Sequence, residues 1–179
     1  ARFLAYSYYP AKDRELITDE AVEVLDARPL TLALKYFPVS LLAAILDIIG
    51  IRIPLPHALD ALRQADVLLD IGGITFADGR ALFLLFNIFT ILPAMLLKTP
   101  VIKLAQAMGP FKTTLNRALA SFFLRRCKHV FARGAGTAKN LQDLGLPQDH
   151  WSQAADVAML YRPSFTLSNE NQTRFSELT

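Results

Sequence analysis

Apolar residues along this chain fall into two alternating rhythms, short β-branched or leucine-rich runs and longer stripes at helical spacing. Phe3 to Tyr8 reads as a strand ending at Pro10, Ala21 to Leu25 as a short strand or helix, and Leu30 to Gly50 as a helix with a break near Pro38. His57 to Ala65 then reads as a short helix, Val67 to Ile71 as a strand, Gly79 to Leu97 as a helix and Val101 to Ala105 as a strand. Leu115, Ala118, Leu119, Phe122 and Phe123 keep the i, i+3, i+4, i+7, i+8 spacing of one buried helix face, with Arg117 and Arg125 on other faces. His129 to Arg133 is a strand, Ala135 to Leu144 a helix stopped by Gly145 and Pro147, and Ala154 to Met159 the next strand. Strands separated by helices of this length return to one sheet through right-handed crossovers. The pattern therefore predicts an α/β fold, an open and mostly parallel sheet with helices on both faces.

Composition narrows the picture. With 179 residues, 53% of them hydrophobic, the chain can bury one sizeable core. Its 19 Lys and Arg against 16 Asp and Glu are too nearly balanced to argue for a nucleic-acid partner. The lone Cys127 excludes an internal disulfide and a cysteine-based zinc cluster and fits a reducing compartment. The absence of an initiator Met and the polar run from Ser164 to Thr179 suggest a piece of a larger enzyme: a lobe over residues 1–160, then a polar linker or tail over 161–179 leading to a second lobe. The uncharged run Ala81 to Leu97 is too short, at about 1.5 Å per residue, to fill a hydrocarbon core of about 30 Å. Strand-like segments abut it on both sides, so it reads as a crossover helix lying on the sheet. With the apolar stretch from Val39 to Ile51, it could form a greasy surface resting on a bilayer or on a partner domain.

The candidate chemistry sits where strands stop at small residues. Gly72 and Gly73 directly follow a strand, which suits either close approach of a substrate or a tight strand-to-helix turn. Asp78 is placed to cap the helix that follows. Gln106 ends a buried strand, where an amide orients a sugar or pins a loop, and Gly109-Pro110 turns the chain into the next helix. In an open α/β fold these strand-end loops are expected on one sheet edge, lining one cleft. Arg133 ends a strand and precedes Gly134-Ala-Gly136-Thr137 at a helix start, which brings a guanidinium and free backbone N–H groups to one spot suited to phosphate or carboxylate. Read alone, it could equally be a surface arginine paired with an acid. Arg125, Arg126 and Lys128 are explained by the helix dipole. His57, His129 and His150 have no metal-ligand spacing, and no serine or cysteine nucleophile motif is present, so no metal is expected.

The order of these pieces resembles the polysaccharide pyruvyl transferase family. The resemblance rests on Asp66 to Asp78, Thr99 to Phe111, the basic helix Leu115 to Arg126, Val130 to Thr137, Leu141 to Gly145 and Ala155-Asp156-Val-Ala158, roughly residues 60 to 160. Two positions depart from the family pattern. Ile74 stands where a third small residue is usual, and Gly134 where an acidic residue follows the strand-end arginine. The resemblance implies a Rossmann-like N-terminal lobe of a two-lobed, GT-B-like enzyme. That enzyme would transfer a pyruvyl group from phosphoenolpyruvate to two hydroxyls of a sugar or lipid-linked glycan, giving a pyruvate ketal of a cell-surface polysaccharide. Substrate-binding positions would be Gly72, Gly73, Asp78, Gln106, Gly109 and Arg133, with no cofactor beyond the donor and the general acid supplied from outside this chain. Location would be cytoplasmic, with a peripheral contact at the inner face of the membrane. A glycosyltransferase or sugar-nucleotide enzyme on the same two-lobed plan, and a non-catalytic membrane-associated partner protein, are the competing readings.

Overall fold

A computed structural model describes residues 2–79 and 81–160; the expected linker at 161–179 lies outside the described residues. The chain opens with β1 (Phe3–Ser7), α1 (Pro10–Leu16) and β2 (Val22–Asp26), and the two strands pair in parallel. A helical stretch follows, made of α2 (Pro29–Thr31), a π-helical turn (Leu32–Tyr36) and α3 (Phe37–Ile48), and then α4 (His57–Gln64). The second half alternates β3 (Leu68–Asp70), β4 (Ile74–Thr75), α5 (Ala81–Leu96), β5 (Val101–Met108), α6 (Thr114–Leu124), β6 (His129–Arg133), α7 (Gly134–Asp143) and β7 (Trp151–Ala154). Strands run in the order β3-β5-β6-β7, all parallel, with β4 pairing the far end of β5. The fold is thus α/β, as the alternation of the two rhythms predicts.

Because β3, β5, β6 and β7 succeed one another in one direction, right-handed crossovers put α5, α6 and α7 on one face of the sheet. Helix α5 is the crossover helix between β3 and β5: it contacts β3, β4 and β5, and Ile91 and Ala94 on it are wholly buried. The core runs from Leu59 and Leu62 of α4 through Phe76, Ile91 and Val101 to Val130, Ala132 and Leu141.

Four expectations need correction. The helix from Pro29 to Ile48 is continuous rather than broken near Pro38. A wide turn, in which the Phe37 N–H donates to the Leu32 carbonyl five residues back, absorbs the proline instead. Strand β5 runs past Ala105 to Met108, because a bulge with Ala105 at φ 49° resets the pairing rather than ending it. The last strand is Trp151–Ala154, and Val157–Leu160 is a 3-10 turn. Finally, α6 buries Asn116, Ala120, Phe123 and Leu124, whereas Leu115 and Phe122 face solvent at 67% and 49% exposure. The same helix offers two apolar stripes, and hydrogen bonds from Asn116 decide which one turns inward.

The outer face of Pro29–Ile48 is apolar too. Leu34, Leu41, Leu42, Ile45 and Ile48 are exposed along it, and the stretch is long and apolar enough to cross a membrane by length and composition.

Candidate functional site

The bulge in β5 shapes the centre of the sheet. Side chains on a regular strand alternate between faces, so Lys103 and Gln106 should point opposite ways. The extra residue brings them to the same side, where both are fully buried. There Lys103 Nζ donates to Asp70 Oδ2 at 2.5 Å and lies 5.1 Å from the centre of the Phe76 ring. Gln106 Nε2 donates to the Asp70 carbonyl at 2.6 Å, and its Oε1 accepts from the Thr75 hydroxyl at 2.7 Å. Asp70 Oδ1 accepts from the Gly72 N–H at 3.0 Å. Burial raises the Asp70 pKa, but Lys103 and the Gly72 N–H outweigh it and hold the carboxyl below the usual range. A side chain at Gly72 would meet Asp70 Oδ1 and Thr75 at 3.2 Å, so those neighbours would have to give by a few tenths of an ångström.

Asp78 reaches across to the start of α6. Its carboxylate accepts from the backbone N–H groups of Lys112 (2.6 Å) and Thr113 (3.3 Å), the Thr113 hydroxyl (2.8 Å) and Asn116 Nδ2 (3.0 Å). These donors outweigh its burial and lower its pKa. Asp78 therefore caps α6 from a distance, while the start of the helix that follows it in sequence lies at a residue outside the described ones. Gly109, at φ +81°, packs on α7: a Cβ there would fall 2.7 Å from Asn140 Nδ2. Asn140 Nδ2 donates to the Met108 carbonyl at 2.8 Å, and the Met108 N–H donates to Thr137 Oγ1 at 3.3 Å. Two residues one turn apart on α7 thus fix the end of β5.

Arg133 ends β6, and its Nη1 donates to Asp156 Oδ2 at 2.5 Å, with both side chains about 30% exposed. The Ala158 N–H and Arg133 together lower the Asp156 pKa. Asp156 thus supplies the carboxylate partner that Gly134 cannot. The register Gln106↔Ala132 places Arg133 level with Ala107, whose N–H donates to the Gly73 carbonyl. Gly73 and Arg133 therefore flank the end of β5 at one height, about 10 Å apart at two strand spacings. The N-terminus of α7 begins at Gly134, where a Cβ on Gly134 or Gly136 would meet nothing within 4 Å. The space before this helix is open to an anion.

A cavity of about 230 Å³ opens where the two sheets meet, between β1 and β3. This is the topological switch point, since β2 lies to one side of β1 and the rest of the sheet continues from β3 on the other. Tyr6, Tyr8, Tyr36, Asp70, Ile71 and Gly72 are among its lining residues.

The structure thus brings Gly72, Gly73 and Gln106 together at the ends of β3 and β5, sets Arg133 level with Gly73 across β5, and seats Asp78 and Gly109 at the two helices that anchor the β5 loop. Of these, Gly72 alone lines the cavity; Gln106 is fully buried, with its amide spent on the β3–β4 loop. His57 pairs with Glu23, His129 with Ser152, and His150 with the Leu124 carbonyl. Sequence reasoning did not single out Lys103 or the three tyrosines. The signal for Lys103 was a lone charge inside the strand Val101-Ile-Lys-Leu-Ala105.

A parallel α/β sheet thus carries glycine loops and an arginine at its C-terminal edge, as in a Rossmann-like lobe. The family comparison agrees. The model of the polysaccharide pyruvyl transferase family matches residues 1–176, and the chain belongs to that family of transferase enzymes. No curated protein and no solved structure matches the chain.

Proposed function

We propose that this chain binds phosphoenolpyruvate and directs its pyruvyl carbons onto two hydroxyls of a sugar, forming a pyruvate ketal and releasing phosphate. The observation that supports the reading is Arg133, level with Gly73 across the end of β5 and next to the open N-terminus of α7. In the reaction the donor's alkene carbon takes a proton, the sugar hydroxyls add to the adjacent carbon, and the phosphate leaves with its bonding electrons. Charge then gathers on the phosphate, where a guanidinium and helix N–H groups stabilise it most. Asp156 engages one nitrogen of Arg133 and orients the fork, which leaves its remaining donors for the anion. Gln106, Lys103 and Asp70 act as positioning residues that hold the Gly72–Gly73 loop.

The apolar outer face of Pro29–Ile48 supports a peripheral contact with an anionic bilayer carrying a lipid-linked acceptor. Arg52 lines a hollow beside its C-terminal end with Arg63 and Lys98, which are bonded to Asp60 and Asp47, so Arg52 is the cation there left to meet a lipid phosphate. Ile45→Glu with Ile48→Glu should abolish sedimentation with phosphatidylglycerol vesicles, and unchanged sedimentation would remove this contact from the reading.

The test of the donor site is the kinetics of Arg133 variants of the full enzyme. Arg133→Ala should raise the donor requirement by roughly ten- to a hundredfold, from a charge-assisted contact of about 1.5–3 kcal/mol. Its cost to folding should stay within about 1 kcal/mol, because the Asp156 pair is partly exposed. Arg133→Lys should rescue only part. Unchanged donor kinetics in Arg133→Ala would make the arginine purely structural.

A further inference from the structure

A purely parallel sheet is ordinarily buried under helices on both faces. Among the described residues, β3-β5-β6-β7 is covered on one. Helices α5, α6 and α7 share that side, with Ile91, Leu124 and Leu141 wholly buried against it, and α4 joins them through Leu59 and Leu62. The stretch from α2 to α3 packs on α5, and α1 packs on β1 and β2. No described helix is left for the opposite face of the main sheet.

Strand alternation shows what that bare face carries. Val130 and Ala132 point into the core, so Phe131 points away from it, as do Ile102 and Leu104 on β5, Leu69 on β3 and Ile74 on β4. Leu69 and Ile74 are about half exposed, and Ile102, Leu104 and Phe131 are only partly buried. Apart from Arg133 at its edge, the strand residues on this face are uncharged. An apolar surface that runs across three adjacent strands is a contact site in want of an occupant.

The chain itself leads onto this face. Beyond β7 it turns so that Asp156 bonds Arg133, which alternates with Ala132 and so lies on the bare side. The turn Val157–Leu160 follows, with Met159 and Leu160 exposed. Residues 161–179 come next, and in them Leu167, Phe175 and Leu178 recur at i, i+8 and i+11, one stripe of a helix. Arg162 and Arg174 balance Glu170 and Glu177, so the segment brings no net charge to an uncharged surface. At about 1.5 Å per residue it reaches about 28 Å as a helix, twice the roughly 14 Å from β3 to β7 at three strand spacings. The family match runs on through it to residue 176, which ties the segment to this lobe.

We infer that residues 161–179 fold back across the bare face and supply its missing layer, instead of leading away as a linker. Leu167, Phe175 and Leu178 then meet Leu69, Leu104 and Phe131, and the chain reverses where Asp156 holds Arg133. The occupant is a segment of the same chain, so the inference stands whatever substrate the lobe takes. The cover would also clamp the Asp156–Arg133 pair between β6 and the returning segment.

The experiment is photo-activated carbene labelling of the full chain, read by mass spectrometry, with Leu141 as the buried reference and Ile48, 84% exposed, as the open one. Leu69, Leu104 and Phe131 should label near the Leu141 level. Phe175→Asp with Leu178→Asp should raise labelling of Leu69 roughly fivefold, the ratio of its 50% exposure on the bare face to about 10% for a covered side chain, and leave Leu141 unchanged. Trypsin supplies a reading on the unaltered chain should the double variant not fold: cleavage after Arg174 should be no faster than cleavage after Arg125 within the lobe. Early release at Arg174, labelling of Leu69 and Phe131 at the Ile48 level, or no change in the folded double variant would each overturn the inference. Protection that fades on dilution as a dimer dissociates would overturn it in favour of a second copy.

Discussion

Removing either partner of the Lys103–Asp70 pair should be among the costliest single changes in this chain. The side chains are 0% and 13% exposed, so neither charge can recover its hydration when the other is deleted. Breaking such a pair costs about 3–5 kcal/mol. With a urea m-value of about 2 kcal/mol/M, the unfolding midpoint should fall by about 1.5–2.5 M. Asp70→Asn keeps an oxygen for the Gly72 N–H but turns an amide donor towards the Lys103 ammonium. Lys103→Met keeps the length of the side chain and leaves a bare carboxylate. The double variant Asp70→Leu with Lys103→Met should be more stable than either single one, because no buried charge remains. Acid acts on the same pair. The folded Asp70 carboxyl titrates below the unfolded value of about 3.9, so its contribution is complete above that value and is lost as the pH falls through the folded pKa. Urea titrations of the four proteins at neutral pH decide the matter. A midpoint shift below about 0.5 M for both single variants, roughly 1 kcal/mol on the same slope, would refute the reasoning.

Three further outcomes follow from the loop anchors and the core. Gly109→Ala should destabilise the fold by at least about 2 kcal/mol, and adding Asn140→Ala should relieve it only in part, because the Cβ at position 140 itself stands 2.9 Å from the new methyl and about 1–2 kcal/mol of left-handed strain remains, read by chemical denaturation. Asp78→Ala should cost about 1–2 kcal/mol and lower far-ultraviolet helicity; because its folded pKa is lowered, the capping term is complete above about pH 4 and fades as acid passes through that pKa. Burial pushes the Cys127 thiol up to about 11, so iodoacetamide at pH 8 should label it only as fast as the protein opens, and labelling at the rate of a free thiol would show that the core there is not closed.

Strand positions were legible because short runs rich in leucine, valine and aromatic residues stop at turn or small residues, and β1, β3 and β6 all lie within the segments so predicted. The orientation of α6 was not. Apolar residues at 115, 118, 119, 120, 122, 123 and 124 satisfy more than one stripe, and Asn116 settles it by bonding the Phe76 carbonyl and Asp78, contacts some 40 residues away in sequence. The end of β5 was misplaced for a similar reason, since nothing in Leu-Ala-Gln-Ala marks a bulge. Around the β5 loop, the glycines and Arg133 stand out by local context, whereas Lys103 depends on a partner from another strand. Residues whose meaning is local were readable, and those whose meaning is a tertiary partner were not.

The bulge also makes β5 a strand with two parities. Up to Lys103 the odd-numbered positions face the buried side, and from Gln106 onward the even-numbered ones do. Deleting one of the two residues between them would remove the bulge and restore a single alternation, with Lys103, Gln106 and Met108 still on the buried side and Ala107 still outward. Deleting both would turn Gln106 and Met108 outward and Ala107 inward while Lys103 stayed in place. The ion pair would survive that change, but the loop beyond it would lose its amide tie to Asp70. A two-residue loss here therefore acts as a frameshift in space, whereas a one-residue loss keeps the phase, and length in this strand is constrained by counting.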